Sequence, residues 1–227
     1  MSDATSIKRT GTLRLILVPS VITLAVTLLR LVGELQHWPS ALFNPSAGGP
    51  GSIVGITWLA MVFGIYFAIK LSGQGEGPAT IKRAIVHAVI GLAIVVGGSL
   101  IAGALRENFH GFLVVTNAAL AIAALIQYPA WPALFKTLVA YAYAARIPVA
   151  ILMYFAMRGN WGTHYDAVPP NAPEAMNQLG PKYFWLALLP QLIAWVGFTV
   201  VSGALFGSVT VAIARRRKPA AQAAAKA

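Results

Sequence analysis

The chain has 227 residues, 58% of them hydrophobic and only 10% charged, with a formal net charge of +11 and no cysteine. A soluble domain carries roughly a quarter charged residues, so this composition points away from a soluble fold and toward a membrane protein. The absence of cysteine excludes disulfides, Cys-ligated zinc and thiol redox chemistry.

Crossing a bilayer takes about 20 apolar residues, because a helix rises about 1.5 Å per residue through about 30 Å of hydrocarbon. Six runs reach that length or approach it: 13–32, 53–71, 84–105, 111–128, 134–157 and 188–213. They are apolar all round, whereas the helices of a soluble α-protein keep a polar face. The predicted fold is all-α, a polytopic membrane protein built as a bundle of six transmembrane helices over 12–214. A cytoplasmic segment, 1–11, precedes it and a basic cytoplasmic tail, 215–227, follows it.

Threading six spans alternately sorts the charges. Lys8, Arg9, Arg14, Lys70, Lys82, Arg83, Lys136, Arg215, Arg216, Arg217, Lys218 and Lys226 fall on one side, with Asp3 and Glu76. Arg30, Arg106, Arg158 and Lys182 fall on the other, balanced by Glu34, Glu107, Asp166 and Glu174. Basic residues concentrate on the cytoplasmic side of membrane proteins, so both termini are expected inside. Orientation thereby accounts for the basic balance, and no nucleic-acid partner is expected; the lipid bilayer is the expected partner, with anionic headgroups near the tail. The composition and the lack of an organelle-type presequence fit a bacterial inner membrane.

Taken in chain order, span 1 reads as a retained signal-anchor, since it lacks an Ala-x-Ala cleavage pattern. It holds Pro19 and ends in Arg30 and Glu34, four apart on one face and so able to pair. Trp38 marks the headgroup level. The outer loop 36–52 contains Gly48-Gly49-Pro50-Gly51, a turn-forming stretch with no strand–helix context for phosphate binding. The inner loop places Gly73, Gly75 and Gly77 at alternate positions, again without the strand a dinucleotide motif requires. Spans 3 and 4 are joined by 106–110 alone and should form a tight antiparallel pair. An aromatic and proline corner, Tyr128-Pro129-Ala130-Trp131-Pro132, leads into span 5. The longest outer loop, 158–182, is rich in proline, and Pro190 is expected to bend or begin the last helix. The tail 219–227 is low-complexity and expected to be disordered.

Small residues recur four apart: Gly64 and Ala68 in span 2, Ser99 and Gly103 in span 3, Gly203 and Gly207 in span 6. Such pairs let helices approach closely, within the bundle or against a second subunit or copy.

Arg146 is the strongest candidate for chemistry. It lies near the centre of span 5, and a lipid-exposed arginine at that depth costs about 3 kcal/mol even on the insertion scale. It must therefore face the bundle interior. Tyr143 lies one turn earlier, and Pro148 leaves the carbonyl of Ala144 without its usual donor. No acid lies deep in any span, so Asn117 and Gln191 are the candidate polar partners of an anion-binding site, while carbonyls, hydroxyls and Glu34 would satisfy a purely structural arginine. On the outer side His37, Glu34, His110, His164 and Asp166 form a candidate polar cluster. In an extended segment His164 and Asp166 would point the same way, as a base and its orienting acid do; the same residues also suit a turn. Only His87 lies within a span, so a haem held by two histidines is not expected, and the histidine spacing argues against a metal site.

These features leave three readings. A non-catalytic accessory or assembly subunit would have a closed core and an outward face of small residues. A protein that binds or transports a small anionic or amphiphilic molecule would have a polar cavity reaching Arg146 from outside. A membrane enzyme acting on lipid or quinone would bring His164 or Asp166 into one cleft with Arg146; no recognisable acid–base set accompanies them, so catalysis is not the expected function.

Overall fold

A computed structural model describes residues 11–48 and 52–224, with side chains described as far as Arg215. The expected N-terminal segment up to residue 10, Gly49 to Gly51 of the first outer loop, and Lys226 lie outside the described residues.

The helices are α1 (Thr12–Leu35), α2 (Leu59–Gly73), α3 (Ile81–Ala104), α4 (Phe109–Leu125), α5 (Pro132–Gly159), α6 (Leu179–Tyr183) and α7 (Trp195–Ala224). Two π-helical stretches, Phe184–Leu188 and Pro190–Ala194, join α6 to α7 as one continuous rod. Among the described residues, four helical rods are long and apolar enough to cross a membrane: α1, α3, α5 and the composite rod over Leu179–Arg215. The other two, α2 and α4, are apolar but shorter, at 15 and 17 residues. The chain is all-helical and belongs to the integral membrane class.

Two expected boundaries move for physical reasons. The run expected to open span 2 at 53 is not helical before Leu59. Its backbone instead folds back on the outer loop, with Ile53 N–H donating to the Ala41 carbonyl and Val54 N–H to that of Leu42. The last helical rod begins at Leu179 rather than 188, with Pro181 in its first turn, where a missing N–H costs no hydrogen bond. The backbone of the basic tail is helical as far as Ala224, where disorder was expected.

Local capping sets several ends. Thr80 accepts from the Arg83 N–H at the start of α3, and Asn108 accepts from the Gly111 N–H at the start of α4. Residues 105–108 are all that separate α3 from α4, and the two pack as the expected antiparallel pair, with Gly98 against Ala119. Where α2 ends and α5 begins, Trp131 Nε1 donates to the Glu76 carbonyl at 2.7 Å and ties the glycine-rich loop to the proline corner.

The rod containing α7 is central: it packs on α2, α3, α4 and α5, most extensively on α2. Gly64 sits on the Cα of Gly203, and Gly207 sits on Ala68, so the small residues of these two helices are consumed inside the bundle. Ser99 is exposed, and nothing lies within 4 Å of where a Gly103 Cβ would stand. Peripheral α1 packs chiefly on α5 and presents an inverted pattern. Thr23, Thr27, Arg30 and Glu34 form its buried stripe, while Leu17, Val21, Leu24 and Leu28 are exposed.

Because the Gly64–Gly203 approach leaves no room for a side chain, Gly64→Val should cost about 1–3 kcal/mol of stability, as overpacking does. Gly103→Val should leave stability unchanged. Denaturation of both variants in mild detergent checks the pair; equal losses would refute the packing assignment.

Candidate functional site

Arg146 is 4% exposed, near the centre of α5, with about 20 Å of helix on either side. Its Nη1 donates to Gln191 Oε1 at 3.4 Å, and its guanidinium carbon stands 4.6 Å from the centre of the Trp195 ring. Its Nε is buried with no hydrogen-bond partner among the described residues. The carbonyl of Ala144, expected beside the guanidinium, does not receive its hydrogen bond, which goes to Gln191. No carboxylate reaches it: Glu34, the acid expected for a structural arginine, is engaged elsewhere by Arg30 and His164. A cation in this state is stabilised by one long hydrogen bond and one aromatic face, which is little against the several kcal/mol that burying an ion costs.

The helix break opposite Arg146 explains how Gln191 arrives there. Pro190 has no N–H to give to the preceding turn, and the rod widens into π-helix on both sides of Leu189. The break is held from α4: Asn117 Oδ1 accepts from the Ala194 N–H at 3.2 Å, while Asn117 Nδ2 donates to the Leu113 carbonyl at 2.8 Å. Asn117 is thus a backbone clamp and does not meet Arg146 directly. Gln191 Nε2 reaches Met153 Sδ at 3.5 Å, which fixes the amide with its oxygen toward the guanidinium.

Nearer the C-terminal ends of α1 and α5, α1 and the loop after α5 share a second charged group. Glu34 accepts from Arg30 Nε at 2.8 Å and from the His164 backbone N–H at 2.8 Å, and its oxygens lie 2.6 and 2.8 Å from His164 Nδ1. Arg30 also donates to the Asn44 carbonyl at 3.1 Å, which ties the first outer loop to the group. Asp166 does not orient His164. The segment is turned rather than extended, and Asp166 closes the turn by accepting from the Gly162 and Thr163 N–H groups and the Thr163 hydroxyl. Gly162 and Asn160 take positive φ there, as a tight turn after a helix requires. Tyr165 passes beneath, donating its hydroxyl to the Thr27 carbonyl at 3.2 Å.

Burial holds His164 below the ordinary imidazole value, with Arg30 acting in the same direction and the contacts to Glu34 and Asp166 opposing it. At neutral pH the pair is therefore a neutral imidazole hydrogen-bonded to a carboxylate rather than an ion pair. Burial likewise pushes the Tyr165 phenol up, so it stays protonated.

Arg146, Arg30 and His164 line one cavity of about 700 Å³. Its polar lining includes Thr27, Arg30, Arg146, His164 and Gln191, and its walls are largely apolar, with Val26, Ile56, Phe112, Leu113, Val149 and Met153 among them. The outer loops contribute Gly48 and Ser52 on one side and Ala167 and Pro169 on the other.

Of the residues singled out from sequence, Arg146, Gln191 and His164 meet at this cavity, and Glu34 stands behind His164. Tyr143 does not: it is 40% exposed on the outward face of α5, since three residues are not quite a full turn. His37 ends α1 in a left-handed conformation and is exposed, and His110 packs against the Trp185 ring. Among the described residues, no three His, Asp or Glu side chains come together as a metal site. Sequence reasoning first of all missed Trp195. A tryptophan well inside an apolar span, away from the interfacial belt, was the available signal for it.

The architecture defines a multi-pass helical membrane protein with a charged, partly apolar cavity toward the end of the bundle where α1 and α5 finish. No protein-family model, curated protein or solved structure matches the chain.

The depressed His164 has a stability consequence. An unfolded histidine takes up a proton near 6.5 and the folded one does so only at lower pH, so stability is lost as pH falls through that window. Thermal unfolding in detergent should show a midpoint that is flat above about pH 7 and declines toward about pH 5. His164→Asn, which keeps a donor for Glu34 but cannot titrate, should remove most of that slope.

Proposed function

We propose that this chain binds a small anionic amphiphile in the cavity, with the Arg146 guanidinium as its counter-ion. The observation that carries the reading is a buried arginine, without a carboxylate and with an unpartnered Nε, lining a cavity of about 700 Å³. Pockets for small ligands run from about 300 to 1,000 Å³ and combine apolar walls with a few placed polar groups. Charge supports a monoanion: Glu34 already offsets Arg30, His164 is neutral, and Arg146 remains as one uncompensated positive charge. The π-helical break that delivers Gln191 adds support, because such irregularities concentrate at functional sites. An accessory subunit would have no use for this cavity, and small residues of α2 and α7 that might have formed an outward face are spent on each other.

The same reading includes six crossings with both ends in the cytoplasm. The short α2 and α4 would cross where the bundle is narrowest, helped by the folded segment 52–58 above α2. The support is the concentration of basic residues on one side of the threaded chain. Because the chain has no cysteine, single-cysteine labelling tests this directly. In intact cells an impermeant maleimide should label Asn171→Cys and leave Gln74→Cys unlabelled; the reverse pattern would invert the topology.

The binding reading is tested with dansylundecanoate, a fluorescent fatty acid, in mild detergent. Arg146→Gln should weaken binding about tenfold to a hundredfold, the worth of a hydrogen bond to a charged group. Arg146→Lys should retain part of the affinity, because charge survives while the planar fork does not. Unchanged binding in Arg146→Gln would end the anion-site reading. Mass spectrometry of the purified protein should find an acidic amphiphile, and a stoichiometric second protein instead would favour an accessory subunit.

A further inference from the structure

The Glu34–His164 pair is not needed to hold an anion, yet it determines what the outer cavity wall presents. The Glu34 side chain is 0% exposed, and as a carboxylate it can only accept hydrogen bonds. Oε1 takes the Arg30 Nε–H at 2.8 Å, and Oε2 takes the His164 backbone N–H at 2.8 Å. His164 Nδ1 lies 2.6 and 2.8 Å from the two oxygens, so it must carry a proton, because a bare lone pair there would face negative charge. Its ring packs on the Tyr165 ring at 3.8 Å between centres, and the side chain is only 15% exposed. His164 lines the cavity, and with Nδ1 held on Glu34 and one face on Tyr165, Nε2 is the ring nitrogen left to meet a ligand there. Nε2 has no partner among the described residues, and in a neutral imidazole protonated at Nδ1 it is a hydrogen-bond acceptor.

Elsewhere on the polar lining Arg30 and Arg146 only donate and the Gln191 oxygen is turned to Arg146, while the Thr27, Ser52 and Thr57 hydroxyls can both donate and accept; the His164 Nε2 lone pair can only accept. An acceptor fixed in a largely apolar wall discriminates strongly, because a ligand that offers no donor leaves it desolvated and unpaired.

We propose that the ligand carries a hydrogen-bond donor, a hydroxyl or an N–H, in addition to its negative charge, and that His164 Nε2 accepts it. His164 then sets specificity for hydroxylated or amide-bearing amphiphilic anions over plain fatty acids, and Glu34 is a positioning residue that fixes the tautomer. This rests on the anion site at Arg146.

The test is displacement of dansylundecanoate from the full chain by 2-hydroxypalmitate, 12-hydroxypalmitate and 16-hydroxypalmitate, each against its methyl ether. At least one hydroxy acid should displace about tenfold better than its ether, which accepts but cannot donate. Read against each variant's own probe affinity, His164→Leu should bring that ratio to about one, while His164→Gln, whose carboxamide oxygen can accept, should restore part of it. In Glu34→Gln the new amide N–H can donate to Nδ1, which moves the ring proton to Nε2, so the ether should draw level with the alcohol. The proposal is overturned if no pair is discriminated by the wild type, or if discrimination survives in His164→Leu. Probe binding indifferent to Arg146→Gln instead defeats the anion reading, and a wild type that does not bind the probe defeats both.

Discussion

A guanidinium charge in the middle of an apolar bundle, with no carboxylate beside it among the described residues, is the constraint around which one half of this protein is arranged. Lipid cannot solvate it and snorkelling cannot reach water across about 20 Å of helix, so the surroundings must supply what solvation they can. They supply the Trp195 face and the Gln191 oxygen, both from the stretch where the last rod departs from α-helical geometry. A regular helix through Pro190 would place these side chains differently, because each added residue in a wider turn rotates all that follows. The break is in turn made tolerable by Asn117, whose amide oxygen takes the Ala194 N–H. Four elements of the chain are thus tied to one charge.

The second constraint is the inverted surface of α1. In water a polar stripe faces out; here Thr23, Thr27, Arg30 and Glu34 face in, and the leucines and valines face out. Apolar contact gives little drive for helix association in lipid, so hydrogen bonds and close packing take over. Tyr141 donates to Thr23 at 2.7 Å, since the Thr23 hydroxyl proton is spent on the Pro19 carbonyl. Tyr165 holds Thr27, and His164 holds Glu34. These polar contacts seat a peripheral helix against α5 and the loop that follows it, and they leave the space beyond Thr27 and Arg30 open as a cavity instead of filling it with side chains.

Much of this was legible as chemistry without being legible as geometry. The depth of Arg146 follows from counting residues along span 5, and the demand that it face inward follows from the cost of exposing it. Gln191 was one of a short set of polar residues within the spans, so its meeting with Arg146 was within reach. Tyr143 failed because a three-residue offset turns a side chain about 60° away from its neighbour, enough to reach the bundle surface. Of the two roles open to Asp166, the turn prevailed over orienting His164, because the Gly162–Thr163 turn offered its carboxylate nearer donors than the imidazole. The span beginning at 53 failed because hydropathy counts apolar residues and is blind to a backbone that folds back to pair with Ala41 and Leu42.

By itself, the sequence determined the class of the protein: helical and integral to a membrane, with one deep cation in need of company. Those properties depend on composition and on residue counts along single helices, where the energy of each segment in lipid is set locally. Only the tertiary structure decided that Glu34 belongs to His164, that Asn117 serves the backbone, and that Arg146 opens on a cavity. Glu34 and His164 are 130 positions apart, and which helices meet depends on small-residue contacts and on a π-helical break whose consequences appear only when the whole bundle is packed.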